Sequence, residues 1–335
     1  MSRIFVPGAG AVSPAGWGVA ALREALNRDE PLPVQTLARP GWEKSLRVRT
    51  VPPLAERPAF LAHPRLRRAS VLAQHTVAAA LEALDADAAK VQAGELRLGI
   101  VVCILAGVVT YSRKFYSEVL QEPATASPLI FPETVFNAPA SHLAAYLGAT
   151  GINYTLVGDD GTFLQGLALA ADWLADDRVD GVVVVGAEEL DWIIADAVRL
   201  FRRDLVFAGG AGALYLKKNP TAGVELAMVT DSFLFSQTQN RAAAGAKMRQ
   251  QLGTGAADEL LCDSTTENPQ GTTWRGLRLA PRVRLGEAFT AAAAWECVAA
   301  VDALRQGKFP AASVAVAGIN QQAIGARFRA CASAA

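Results

Sequence analysis

Gly151-Ile-Asn-Tyr-Thr-Leu-Val-Gly-Asp-Asp-Gly-Thr-Phe163 decides the reading of this chain. Its first half is apolar and β-favouring and reads as a strand. Gly158-Asp-Asp-Gly161 is turn chemistry. Beyond it, Phe163, Leu164, Leu167, Ala171 and Leu174 recur at helical spacing. A strand therefore ends, and a helix begins, around Asp160. The plain reading of Asp160 is a helix N-cap, where aspartate contributes roughly 1 kcal/mol.

The same alternation continues outward from this turn. Short apolar runs closed by turn residues lie at Ile4–Val6, Leu98–Leu105, Val179–Val185, Gly212–Leu216 and Val314–Val316. They lack polar alternation, which suits central strands covered on both faces. Helical stretches fall at Arg68–Leu84 and at Ala291–Leu304, the second with Gly307 placed to cap it. Proline-rich Asp29–Pro64 reads as surface loops with an edge strand near Leu46–Val51, and Ser236–Gly255 as a surface helix and loop. The pattern predicts an α/β protein with parallel or mixed sheets. Two β-rich halves, 1–195 and 196–335, suit a duplicated architecture within one compact unit.

Composition excludes several classes. At 335 residues and 51% hydrophobic, the chain can build one large core or two fused lobes. Its 32 basic residues balance 32 acidic ones, so no global field favours nucleic acid or an anionic membrane. The longest nearly apolar run, Leu98–Tyr111, is shorter than the roughly 20 residues of a spanning helix. The N-terminus reads as a strand entering a turn, without a signal peptide's apolar core. Cys103, Cys262, Cys297 and Cys331 are scattered without metal spacing, as are His63, His75 and His142. Reduced, buried thiols in a cytoplasmic protein are expected, with no metal and no cofactor.

Several blocks, in order along nearly the whole chain, resemble a β-ketoacyl synthase of the thiolase superfamily. Ile4–Gly16 resembles the opening strand and turn, Pro64–Ser70 the start of the next helix, and Pro128–Leu143 the segment before the nucleophile. Gly151–Leu174 matches the nucleophile turn and helix, Val182–Glu189 the following strand, and Gly209–Leu216 the glycine-rich strand after it. The resemblance implies a thiolase-like layered αβαβα fold with two related halves, shortened relative to typical ketosynthases. Asp191–Arg199 forms a short bridge where that family has a longer acyl-pocket segment.

The departures fall on the chemistry. In that family a cysteine stands where Asp160 stands here. Leu261-Cys-Asp-Ser-Thr-Thr266 matches the first histidine motif and places Asp263 at the histidine, within about one residue. In Arg282-Val-Arg-Leu-Gly-Glu287, Arg282 falls at the family's lysine and Glu287 at its second histidine. Glu296 keeps a structural glutamate, and Gly318-Ile-Asn-Gln321 keeps only the first glycine of the loop that closes over the acyl chain. A condensing site needs a thiolate at a helix N-terminus and neutral donors for an oxyanion and an enolate. Carboxylates accept hydrogen bonds and donate none. Asp263 and Glu287 therefore read as salt-bridged or exposed acids, with Arg282 or Arg284 as partners, and Asp160 as a helix N-cap; the alternative is that all three form a convergent cluster, a general base or a divalent-cation site.

The resemblance then implies a catalytically degenerate subunit of the chain-length-factor type. Its partner would be an active ketosynthase in fatty-acid-like, polyketide-like or aryl-polyene biosynthesis. Pairing would run through Phe131–Leu147 and the strand Thr155–Val157, as a heterodimer or, with itself, a homodimer. Phe131, Phe136 and Phe163 are candidates for limiting the dimer's acyl tunnel, or are ordinary packing. Arg65, Arg67 and Arg68 are candidates for meeting an acidic acyl carrier protein, or form a solvated helix start. Two alternatives stay open: a thioester hydrolase or lyase built on the repurposed carboxylates, and a homodimeric scaffold without chemistry.

Overall fold

A computed structural model describes residues 3–218, 223–263 and 274–331. The principal strands are β1 Ile4–Ser13, β2 Leu98–Ile104, β3 Asn153–Val157, β4 Gly181–Glu188, β5 Gly210–Lys218, β6 Val224–Val229, β7 Leu260–Asp263, β8 Leu277–Leu279, β9 Ala311–Ala317 and β10 Gln322–Ala330. They form one hydrogen-bonded path in the order β8-β7-β9-β10-β6-β1-β5-β4-β2-β3.

That order is a repeat. The first five strands lie as β3-β2-β4-β5-β1, and the next five as β8-β7-β9-β10-β6. In each set the two outer pairings are parallel and the two inner ones antiparallel. A short antiparallel contact, Phe5 with Glu225 and Val6 with Val224, joins the sets. The repeat changes over between Lys218 and Val224. The sequence reading cut the chain at 195/196, but β5 pairs with β1 and β4 and so completes the first half.

The principal helices are α1 Val19–Leu26, α2 Val71–Leu84, α3 Val109–Gln121, α4 Ala138–Leu147, α5 Thr162–Ala175, α6 Trp192–Phe201, α7 Arg241–Leu252, α8 Pro281–Leu285 and α9 Phe289–Arg305. Helices α5 and α9 each pack on strands of both halves and form the central layer. Helices α2 and α4 cover the outside of the first half, and α7 that of the second. The layers run α-β-α-β-α. Helix α9 can lie in the middle because it is apolar almost all round. Its small residues admit the sheet closely: a Cβ on Gly186 would stand 2.3 Å from the Thr290 carbonyl oxygen, and one on Gly212 2.8 Å from Ala294 Cβ.

The predicted strands are present and generally extend further than their apolar runs. Two local readings change. The helix expected from Arg68 starts at Val71, because the Ser70 hydroxyl accepts from the Ala73 N–H at 3.1 Å and caps it. The bridge expected at Asp191–Arg199 is helix α6, which Asp191 caps by accepting from the Ile193 N–H at 2.9 Å. Leu46–Arg49 is a strand of a separate three-stranded sheet. Among the described residues, no helix is long and apolar enough to cross a membrane.

Candidate functional site

The strand β3 runs into the turn Gly158–Gly161 and then into α5, as the opening stretch predicts. Asp160 is buried there, but it does not cap the helix. The residue at the cap position is Gly161, with no side-chain hydrogen bond to the first turn. Asp160 Oδ2 instead accepts from Arg282 Nη1 at 2.5 Å. A charge-assisted bond to a guanidinium is roughly twice as strong as a neutral one, so the ion pair outcompetes the cap. The neighbouring Asp159 serves the turn: its Oδ1 accepts from the Gly161 N–H at 3.2 Å.

Arg282 is the centre of the site. It lies on α8 and is itself buried. Its Nη1 also donates to both Glu287 oxygens at 2.9 Å, and its Nε donates to Glu296 Oε1 at 3.0 Å. Glu287 Oε1 further accepts from the Phe289 N–H at 2.8 Å. Asp160 and Glu287 thus converge, as one sequence reading anticipates, but around a cation the chain supplies itself. Among the described residues no group of histidine, cysteine or acidic side chains is placed to hold a metal ion. Asp263 stands apart: its Oδ2 faces Arg249 Nη2 of α7 at 3.4 Å. Its charge still adds to the field on Glu296. The residues that follow it in the matched motif, Ser264 to Thr266, lie outside the described residues.

Three carboxylates around one guanidinium leave an excess of negative charge in a dry interior. Burial pushes the Glu296 carboxyl up to about 7 against the pull of Arg282. Burial raises Glu287 too, again opposed by Arg282, with the Asp160 charge adding to the rise. Behind them lies Glu188, at the end of β4. It accepts from the Leu105 and Ala106 N–H groups at 2.5 and 3.2 Å and from the Thr290 hydroxyl at 3.1 Å. Burial takes it up to about 8, and the Asp160 charge contributes. The sequence reading gave Glu188 and Asp159 no role. The only signal for Asp159 was its place beside Asp160 in the turn.

The site therefore stores protons and charge but offers no activated thiol. Cys103, Cys262 and Cys297 are buried, and burial raises each thiol far above its ordinary range. Among the described residues no histidine reaches the cluster: His75 packs edge-on against Trp17, His63 against Tyr146, and His142 bonds Glu133 at 2.8 Å.

The remaining candidates sit elsewhere. Phe163 is fully buried in the core between the two halves. Phe131 and Phe136 are 55% and 45% exposed; Phe131 packs against Phe115, and Tyr154 and Val157 on the outer edge strand β3 are exposed too. Arg65, Arg67 and Arg68 are exposed in the turns before α2.

No protein-family model matches the chain, and no curated protein matches it in sequence. Solved structures do match it in shape. A type II polyketide ketosynthase, seen with its acyl-carrier protein and bound to a hexaketide, superposes with a TM-score of 0.80 at 16% identity, over 98% of this chain and 99% of that one. The ishigamide ketosynthase/chain length factor gives 0.77 at 18%, over 98% and 100%. The ketosynthase in complex with its chain length factor from Xenorhabdus doucetiae gives 0.76 at 15%, over 98% of each. The chain has the thiolase-like fold of the β-ketoacyl synthases.

Proposed function

We propose that this chain is a non-condensing ketosynthase-like subunit that pairs with an active ketosynthase, in the manner of a chain-length factor. The observation that carries the reading is Arg282. Its guanidinium binds Asp160 at the turn where a condensing enzyme carries its nucleophile, and Glu287 and Glu296 complete the shell. A buried carboxylate pinned by an arginine is a poor nucleophile, and the acids around it would repel a thioester oxyanion. The exposed apolar residues along the β3 edge support the partner half of the reading. An edge strand that exposes Tyr154 and Val157, with Phe131 and Phe136 exposed in the segment before α4, offers apolar surface that another chain can cover. The neighbours that are described as ketosynthase and chain-length-factor pairs agree with it.

The test has two arms. Co-expression with an active ketosynthase from the same genome should yield one complex by size exclusion. The isolated chain, given malonyl and acyl thioesters of a carrier protein, should release no CO₂ and gain no acyl mass. An acyl adduct or turnover by the isolated chain would instead favour a hydrolase or lyase. A stable self-pair that ignores every ketosynthase would favour a homodimeric scaffold.

A further inference from the structure

The repeat in the sheet fixes which residues of its two halves correspond. Strand β1 bulges between Phe5, opposite Lys217, and Gly8, opposite Tyr215. Strand β6 bulges between Leu226 and Met228; before the bulge Glu225 lies opposite Arg329, and after it Met228 lies opposite Arg327. Arg327 and Arg329 therefore hold the places on β10 that Tyr215 and Lys217 hold on β5. What covers those places differs. In the first half a short helix, Asp87–Gln92, follows α2, and its Asp87 carboxylate meets both residues. Asp87 Oδ2 accepts from the Tyr215 hydroxyl at 3.0 Å and from Lys217 Nζ at 2.9 Å. In the second half α7 stops at Leu252, where Gly253 and Gly255, both at positive φ, end the helix. A cavity of about 550 Å³ remains there, with Met228, Leu252, Glu259, Arg327 and Arg329 in its wall. Glu259 Oε1 accepts from Arg327 Nη2 at 2.6 Å. No described residue accepts a hydrogen bond from the Arg329 side chain. Its cross-strand neighbour Glu225 feels the Arg329 charge, but that carboxylate is bonded by Arg3, from Nε at 2.9 Å and Nη2 at 2.8 Å.

We infer that this cavity binds a small organic monocarboxylate with an apolar body. Its carboxylate takes, in front of Arg327 and Arg329, the part that Asp87 plays for Tyr215 and Lys217. The fork of N–H donors on a guanidinium matches a planar carboxylate. The charge balance selects a monoanion: Arg327 and Arg329 against Glu259 leave one positive charge, and Arg3 offsets Glu225. Met228 and Leu252 give the apolar body a wall to lie on. The site lies at the end of β10 remote from its turn with β9, and none of the residues of the Arg282 cluster lines it. It stands independently of the proposed function.

Methyl NMR on the full chain tests it, because Met228 lines the cavity and Met248 does not. Benzoate is the probe, a monocarboxylate with an apolar ring. It should shift the labelled Met228 methyl saturably, with a Kd of about 1 mM or tighter, and move Met248 less. Arg329→Ala alters an exposed residue, so the fold should hold while binding weakens about tenfold or more. Benzyl alcohol, uncharged and of similar shape, should bind at least about tenfold more weakly than benzoate. No saturable shift of Met228 would overturn the site. Equal titrations in Arg329→Ala, or with benzyl alcohol, would overturn the role of the arginines. Inorganic phosphate that displaces benzoate at an equal or lower concentration would overturn the choice of a monocarboxylate.

Discussion

Arg282 Nη1 lies 2.5 Å from Asp160 Oδ2, joining the turn that opens α5 to the short helix α8 across 122 residues of sequence. Both side chains are almost wholly withdrawn from solvent. The pair is therefore part of the fold's interior as well as of its site. The expected consequences can be separated.

Arg282→Met should destabilise the chain by about 3–5 kcal/mol, because it leaves Asp160, Glu287 and Glu296 buried without their cation. Asp160→Asn should cost less, since the amide oxygen still accepts from Nη1 and one charge of the excess is gone. Urea denaturation at pH 7 measures both. Equal losses for the two variants would contradict a shell centred on Arg282.

Asp160→Cys should not create a condensing enzyme. The new thiol would sit among the Glu287, Glu296 and Glu188 carboxyls, which oppose a thiolate, and no imidazole donor is within reach. Iodoacetamide and an acyl-thioester assay should both leave the variant unreacted under native conditions. In the unaltered chain the same reagent should label Cys331, which is partly exposed, and spare Cys103, Cys262 and Cys297 until denaturant is added. Peptide mass mapping reads the outcome.

Phe136→Asp and Val157→Arg should separate partner binding from folding. Both residues are substantially exposed, so neither change removes core packing. Each places a charge on an exposed apolar residue, Val157 on β3 and Phe136 before α4, where burial by a partner would be penalised. Co-purification with the ketosynthase should fall about tenfold or more while the melting temperature stays within about 2 °C. Unchanged co-purification would move the interface elsewhere.

The fold was legible because burial on both faces leaves a strong mark in sequence. The valines of β4 and the alanines of α9 read directly as a covered strand and a central helix. The end of the first half was less visible, since nothing in the composition near 195 or 218 records which strand β5 pairs with. At the site, Asp160 and Glu287 stood out as carboxylates in unusual places. Arg282 was open as a partner for Glu287, five residues away, but its bond to Asp160 did not stand out, because ion pairs between residues far apart in sequence follow no local period. The same holds for Asp159 and Gln321, 162 residues apart, where Gly318 marks only that something comes close. Glu188 looked like a polar end to a strand, and only the fold puts it behind the cluster.

Stability should fall as pH rises from about 6.5 to 8.5, and Glu188 should set the upper end. Glu296 and Glu188 have folded-state values raised by burial to about 7 and about 8, against 4.5 for an ordinary glutamate. For an acid raised in the folded state, the native chain holds the proton that the unfolded chain has already released. Its contribution is complete below the unfolded value and is lost as pH climbs through the folded value. His75 works in the other direction, because burial lowers it to about 4; its opposing rise fades as the unfolded imidazole loses its proton through about 6.5 and is spent by about 7.5. Across the window Glu296 and Glu188 each contribute a slope of about 1 kcal/mol per pH unit until they titrate, and Glu287, also raised by burial, acts in the same sense. Glu188→Gln keeps an oxygen for the Leu105 N–H and cannot ionise. It should flatten the fall between pH 7 and 8.5 and leave the part assigned to Glu296. Thermal unfolding at half-unit pH steps reads both slopes, and a Glu188→Gln curve parallel to that of the unaltered chain would mean that Glu188 is already ionised in the folded protein.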